Sequence, residues 1–472
     1  MEPAPRAGTV RRGLLLFLLL LLCYGYFIPR SGRSDWAASA RADLVFAVAD
    51  RGVLHIDHYH HNTGDKAFYR GHYYAVGSIG PSLVALPAYL VVRPILERIT
   101  PPERRERAAL LAMTLFAISL PSALLGVCVY LFARRFAATD RHALLLALTY
   151  GLATVAFPYS KALFQHQLSA FGAFGGFYLL WRVVREDAAP WRLWLAGGLF
   201  GLAAVSEYPV VLFLGMTFAW SWFEAADRRA LWRVVAGALP LLLLFAGYNW
   251  AIFGTPLPVG YRYHVEYQTV HAQGFMGITG PTLAGIYGIT FSPYRGLFFL
   301  SPVLLLALPG LVLMWREPRE RLTAALLGAV ILGFILYVGS YRYWSGGDAI
   351  GPRFLVPAVP FLMLPMASSF AAGLARPAGR WTIGALIGLS GLNVWAQSIA
   401  GERYPPYQFR GDIVTNPTFQ WALPLLREGQ VTLNYGILLG LEGLASLLPL
   451  ALPAALLLWF AARVGDYPSS ET

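Results

Sequence analysis

The chain is 472 residues long, 57% apolar and only 13% charged, with a formal net charge of +12. Soluble domains carry about 25% charged residues, so an ordinary soluble domain is excluded, and apolar runs of roughly 20 residues recur as they do in polytopic membrane proteins. The arginines sit in short loops between those runs, which assigns the positive charge to membrane topology and leaves no nucleic-acid partner; Cys23 and Cys128 both fall inside apolar runs, which excludes a disulfide framework or a cysteine-based zinc site.

The N-terminus has Arg11 and Arg12 followed by a leucine run, the outline of a signal peptide. Tyr24, Tyr26, Phe27 and Pro29 supply no small-residue cleavage site, so 14–28 is expected to stay as a first transmembrane helix. A long polar segment, 29–107, follows. Apolar stretches then fall at 108–132, 143–157, 164–181, 193–206, 208–223, 234–253, 297–315, 322–340, 354–370, 381–399 and 435–462. One further apolar piece, 79–96, closes the first polar segment. If it does not cross, Arg134, Arg135 and Arg141, then Arg182, Arg185 and Arg192, then Arg228, Arg229 and Arg233, then Arg316, Arg319 and Arg321, and finally Arg376 and Arg380 all fall on the cytoplasmic side with Arg6, Arg11 and Arg12. If it crosses, all five loops flip outside. The positive-inside preference selects the first arrangement, so 79–96 is expected to lie in the outer interface. The stretch 193–223 starts and ends at basic loops and must return to its side of entry. At ~1.5 Å per residue its two arms reach only about 23 Å each, which predicts a tilted or re-entrant hairpin with Glu207 and Tyr208 at an outer tip. The expectation is one all-α membrane domain over 1–472 with about twelve crossings. It has four outer segments, 29–107, 254–296, 341–353 and 400–433, and a bundle over 108–463.

The chemistry-bearing residues concentrate in the outer segments, above all between Ser34 and Tyr89. Asp57 and Asp65 lie in LHIDHYHHNTGDKAFYRGHYY. An outer-face carboxylate can serve as general base on an acceptor; Asn62-Thr63-Gly64-Asp65 is equally good turn material. His55, His58, His60, His61 and His72 crowd the same stretch, and in an extended segment His55 and Asp57 share a face. A closed ligand set at zinc-site spacing is not evident, and no metal-ligating set is assigned. Lys66 and Lys161 are the only lysines, both outside by the arginine argument. Lysine binds phosphate as a point charge, and Lys66 and Arg70 flank the carboxylates. Lys161 precedes Gln165, His166 and Gln167. Glu207 is an ionisable group among apolar helices, either functional or wet at the tip. Arg342 and Arg353 occupy YRYWSGGDAIGPRFLVPAVPFL. Arg353 opens a helix on the outer side, against the positive-inside preference. A phosphate at the helix N-terminus would explain it, as would an ion pair with Asp348 or Glu207. No Walker A or dinucleotide glycine pattern is present, so an activated donor would come from the lipid phase rather than a nucleotide pocket.

In order and spacing the chain resembles the GT-C-fold membrane glycosyltransferases, the group of protein O-mannosyltransferases and lipid A aminoarabinose transferases. The resemblance runs through the N-terminal helix, the aspartate-bearing first loop, GPSLVALPAY, PYSKALFQHQ, GLFGLAAVSEYP, FSPYRGLFFLSP and SGGDAIGPRFLVPAVPFLMLP. It implies transfer of a sugar from a polyprenyl-phosphate donor to a glycan, lipid or protein acceptor at the outer face of a bacterial inner membrane, usually with inversion. It also implies a first-loop carboxylate as base and basic residues on the phosphate. It calls for no firmly held cofactor and leaves room for a divalent cation, Mg or Mn. The family's adjacent acidic pair is missing: Asp35 is followed by Trp36. Asp57 is therefore ranked first as base, Asp65 second, and Asp35 and Asp43 behind. A transporter or flippase of lipid-linked sugars, or a non-catalytic relative, remains the alternative.

Overall fold

The computed structural model describes residues 7–30, 32 and 35–464. Arg6, Ser34 and the polar tail from Gly465 lie outside those residues. Every apolar stretch named above carries helix, and among the described residues strand is confined to two short hairpins. Among the described residues, six helices have the length and composition to cross a membrane: Ala7–Gly25, Pro102–Ala133, Arg228–Phe253, Arg321–Gly339, Arg353–Leu374 and Gly443–Arg463. Arg192–Ser206, Val210–Glu224 and Pro302–Arg316 are apolar but shorter. The chain is an all-helical polytopic membrane protein. Helix is the form in which each backbone N–H finds a carbonyl partner without water, and small residues let these helices approach closely. A Cβ on Gly197 would fall 2.1 Å from the Val234 carbonyl oxygen, and one on Gly237 2.2 Å from that of Trp194.

The arginine-rich loops gather at one end of the bundle. Arg12 pairs with Asp140 at 3.0 Å, and Arg134 reaches the same carboxylate at 2.6 Å. Arg12 also donates to the Ala461 carbonyl near the other end of the chain. Arg135 pairs with Glu186 at 2.8 Å and Arg185 with Glu224 at 2.9 Å. The first polar segment and the segments 254–296, 341–353 and 400–433 meet at the opposite end, called the outer end below. There Val265 donates its N–H to the Lys66 carbonyl at 2.9 Å, and Arg342 donates its own to that of Gly277 at 2.7 Å. The hairpin tip Ser206–Pro209 also arrives here: the Tyr208 hydroxyl donates to the Gly77 carbonyl at 2.7 Å.

The first polar segment is built on a helix, Trp36–Arg51, capped by Asp35 and closed by Gly52 in the left-handed region at φ 65°. The Val53 N–H returns to the Ala47 carbonyl at 3.2 Å, which is the closure that such a glycine permits. Next comes a hairpin, β1 (Lys66–Tyr69) and β2 (His72–Ala75), turned by Arg70 at φ 48° and Gly71 at φ 85°. Two positive-φ residues make the two-residue turn whose twist suits antiparallel strands. The helix Gly80–Ile99 then packs along Trp36–Arg51. Ser82 Oγ donates to the Arg41 carbonyl at 3.0 Å, and the Tyr89 hydroxyl to Asp50 at 3.0 Å. This helix is not among the six long apolar helices. It leaves Leu90, Val91, Ile95 and Ile99 exposed, an apolar strip suited to the membrane surface.

Candidate functional site

At the outer end a cavity of about 270 Å³ opens among the polar segments, lined by Asp35, Asp65, Tyr343, Asp348, Arg353 and Tyr404. Asp35 and Asp65 stand thirty positions apart in sequence. Their meeting is a consequence of packing around Trp36. The Thr63 hydroxyl donates to the Trp36 carbonyl at 2.8 Å and accepts the Asp65 N–H at 3.1 Å. Gly64 lies flat on the indole, where a Cβ would fall 2.5 Å from ring carbons. The turn is thereby pressed against the start of the helix that Asp35 caps, and its carboxylate enters the same cavity.

The two carboxylates sit in unlike surroundings. Asp35 Oδ1 accepts the Ala38 N–H at 3.0 Å, as an N-cap does. Its Oδ2 accepts the Tyr404 hydroxyl at 3.0 Å. Burial dominates over these two hydrogen bonds and the nearby Arg41 and Arg30, pushing its pKa up to about 6. Burial also opposes ionisation of Asp65, but there His264, Arg353 and Arg41 prevail and hold it below the usual carboxylate range. His264 Nε2 lies 3.7 Å from Asp65 Oδ1. His264 Nδ1 accepts the N–H groups of Glu266 and Tyr267 at 3.1 and 3.2 Å, so the neutral ring carries its proton on Nε2, facing Asp65. The bridge between Ala67 and His264 fixes that approach.

Arg353 is the cation of the cavity. Its guanidinium lies 5.7 Å from the Phe164 ring and 5.1 Å from that of Phe354. Its Nε is buried without a hydrogen-bond partner. Among the described residues it makes no ion pair, so neither Asp348 nor Glu207 explains its position by direct contact. Three carboxylates, Asp35, Asp65 and the exposed Asp348, share one cavity with an unpaired guanidinium. Such a cavity can hold an anionic group and take a proton from a neighbouring hydroxyl or amine.

The other sequence candidates separate cleanly. Asp57, ranked first from sequence, does not line this cavity; its carboxylate lies between His55 and His72. Asp43 points from the helix Trp36–Arg51 to Asn62, which donates to it at 3.1 Å. Burial raises its pKa to about 8, so it is a protonated structural group at neutral pH. Lys66 follows Asp65 on the strand, and the alternation of side chains carries it to the other face. Its ammonium donates to the His60 carbonyl at 2.6 Å. Arg70 is at the exposed hairpin turn beside Tyr69, and Arg342 is exposed away from the cavity. Lys161 is buried, 4.1 Å from the Phe27 ring, and donates to the Ser398 carbonyl at 2.8 Å. Burial drives its amine well below the usual lysine range. His166 and Glu207 form a buried pair, Nδ1 to carboxylate 3.1 Å, beneath the Phe354 ring. Glu207 therefore has a partner and is not simply wet. Sequence reasoning missed Tyr404, which sits in a Tyr-Pro-Pro-Tyr loop without any distinguishing signal. It also passed over Arg41, a buried arginine in the middle of the helix Trp36–Arg51 whose guanidinium donates to Gln165.

Fold and site together define a helical membrane protein whose cavity at one end gathers carboxylates beside an arginine. No family model matches the chain, and no curated protein matches it. Among solved structures, ArnT from Cupriavidus metallidurans in the apo state is similar over 96% of this chain and 75% of its own, at 14% identity and a TM-score of 0.49. The same protein bound to undecaprenyl phosphate is similar over the same shares, at 14% identity and a TM-score of 0.47.

Proposed function

We propose that this chain is a glycosyltransferase that moves a sugar from a polyprenyl-phosphate donor to an acceptor at the extracytoplasmic face. The observation that carries the reading is the unpaired Arg353 in a cavity where Asp35 and Asp65 have their pKa values displaced in opposite directions. Carboxylates pushed apart in this way divide acid–base and electrostatic roles. Asp35 has a pKa suited to a base at neutral pH. It takes the proton from the acceptor hydroxyl or amine as that atom attacks the anomeric carbon. The bond from that carbon to the phosphate oxygen breaks, and the polyprenyl phosphate leaves with the electron pair. Arg353 neutralises the growing charge on the leaving group. Asp65 stays ionised, oriented by His264, and offsets the positive charge that develops on the sugar ring. Attack opposite the leaving group inverts the anomeric centre.

An apolar cavity of about 430 Å³ between the first, Asp140–Ala153, Pro377–Ile399 and last helices offers room for isoprene units. Trp395 lines it and stacks on Phe157 at 4.4 Å, beside the Lys161 amine. The test is turnover of a panel of polyprenyl-phosphate sugars by purified protein, read as release of free polyprenyl phosphate. Wild type is expected to turn over at least one donor. Asp35→Asn is expected to lose about 10²–10⁴-fold in rate. Full activity in Asp35→Asn, or wild type inert toward every donor, overturns the proposal.

A further inference from the structure

We infer that His55, Asp57 and His72 form a site for a borderline divalent transition metal such as zinc, on the opposite side of the first segment's hairpin from its entry into the cavity. Three ligand atoms, one from each residue, lie within 4.8 Å of one another. His55 Nδ1 is 3.0 Å and His72 Nδ1 2.6 Å from Asp57 Oδ2. The two imidazole rings stack with centroids 4.5 Å apart. Ligands on one tetrahedral zinc, at bonds of about 2.0–2.1 Å, sit about 3.3 Å from each other. The His55 nitrogen stands near that spacing from the carboxylate oxygen, and the His72 nitrogen, now hydrogen-bonded to it, would move outward to admit an ion.

The backbone builds this arrangement. The Ile56 N–H donates to the Tyr73 carbonyl at 2.7 Å, which lays residues 55–57 along β2. The Tyr73 N–H donates to Asp57 Oδ1 at 2.6 Å, fixing the carboxylate and leaving Oδ2 toward the rings. Such a bond to the far oxygen is the outer-shell support that orients a ligating carboxylate. The Arg70-Gly71 turn fixes the register that brings His72 to the same place. A second observation points to a missing partner: His55 Nδ1 is buried and makes no hydrogen bond, although it stands beside a carboxylate. Two imidazoles and one carboxylate select zinc-like ions over magnesium or calcium, which prefer all-oxygen sets. The side chains are 30%, 33% and 48% exposed, so a fourth position stays open to water. A bound ion ties 55–57 to the hairpin and stiffens the strand that begins one residue after Asp65. Its role is structural, and the reading of the cavity does not depend on it.

The experiment uses the full chain in detergent, purified without a histidine tag. Cobalt(II) is titrated and followed by visible absorption, then displaced with zinc, with bound zinc counted by mass spectrometry. Wild type is expected to show one saturable cobalt band that one equivalent of zinc removes, with a rise in the thermal midpoint on zinc addition. His55→Ala and His72→Ala are each expected to lose the band, and His61→Ala to keep it. No saturable band in wild type overturns the site, a result that depends on no variant folding. So does a band of full intensity in both His55→Ala and His72→Ala, or a band lost only in His61→Ala.

Discussion

Replacing Tyr404 by phenylalanine removes one atom that matters to the proposed base. The hydroxyl donates to Asp35 Oδ2 at 3.0 Å. The ring's other contacts, with Arg30 at 4.5 Å and Phe164 at 6.1 Å, do not need it. A hydrogen bond to a charged group contributes about 1.5–3 kcal/mol, and at 1.36 kcal/mol per unit its loss raises the carboxyl pKa by about 1–2 units. The starting value is about 6. The acid limb of kcat/KM against pH should therefore sit near 6 in wild type and about 1–2 units higher in the variant. At pH 7 the variant loses roughly two- to tenfold in rate, and it recovers at alkaline pH because the base is intact but titrates later. The assay is the pH profile of polyprenyl-phosphate release for both proteins. An acid limb in the same place for both, or a loss that no alkaline pH restores, refutes Asp35 as the base held by Tyr404.

Arg353→Gln removes the unpaired guanidinium and is expected to reduce kcat/KM by about ten- to 150-fold, the equivalent of about 1.5–3 kcal/mol, with a weaker competition by free polyprenyl phosphate in the same assay. Gly64→Ala puts a methyl carbon 2.5 Å from the Trp36 ring; it should lower stability by about 1–3 kcal/mol and reduce turnover by displacing Asp65, read by thermal unfolding and initial rates. Asp43 has a folded pKa raised to about 8 from 3.8. The folded state therefore holds a proton that the unfolded chain releases, and wild-type stability falls as pH rises from about 4 to about 8 and is flat above. Asp43→Asn should lack that slope, so its thermal midpoint relative to wild type rises across the same window; parallel midpoints from pH 4 to 9 would count against a buried, protonated Asp43.

The helices were legible because a bilayer leaves a long apolar run few other forms. The gathering of basic loops at one end was legible from arginine positions alone. The arrival of the Glu207 tip at the end opposite the basic loops followed from the arginines that flank 193–223. The site was only partly legible. Arg353 stood out because an outer arginine opening a helix has no topological reason. Asp65 was named, but its partnership with Asp35 was not, because it depends on Gly64 lying on Trp36 and sequence spacing does not report such a contact. Asp57 drew attention through the density of histidines around it, and that density serves its own cluster rather than the cavity. Lys66 was misjudged by one residue of strand alternation. Tyr404 comes from the far end of the chain and reaches Asp35 only because the last outer segment folds back over the first.

The most direct test of the central claim is a cryo-electron-microscopy map of the full chain with polyprenyl phosphate bound. The account predicts the phosphate in the outer cavity, within hydrogen-bonding distance of Arg353, with space between it and Asp35 for a sugar ring. A phosphate bound away from Arg353, with Asp35 and Asp65 facing no ligand, would contradict it.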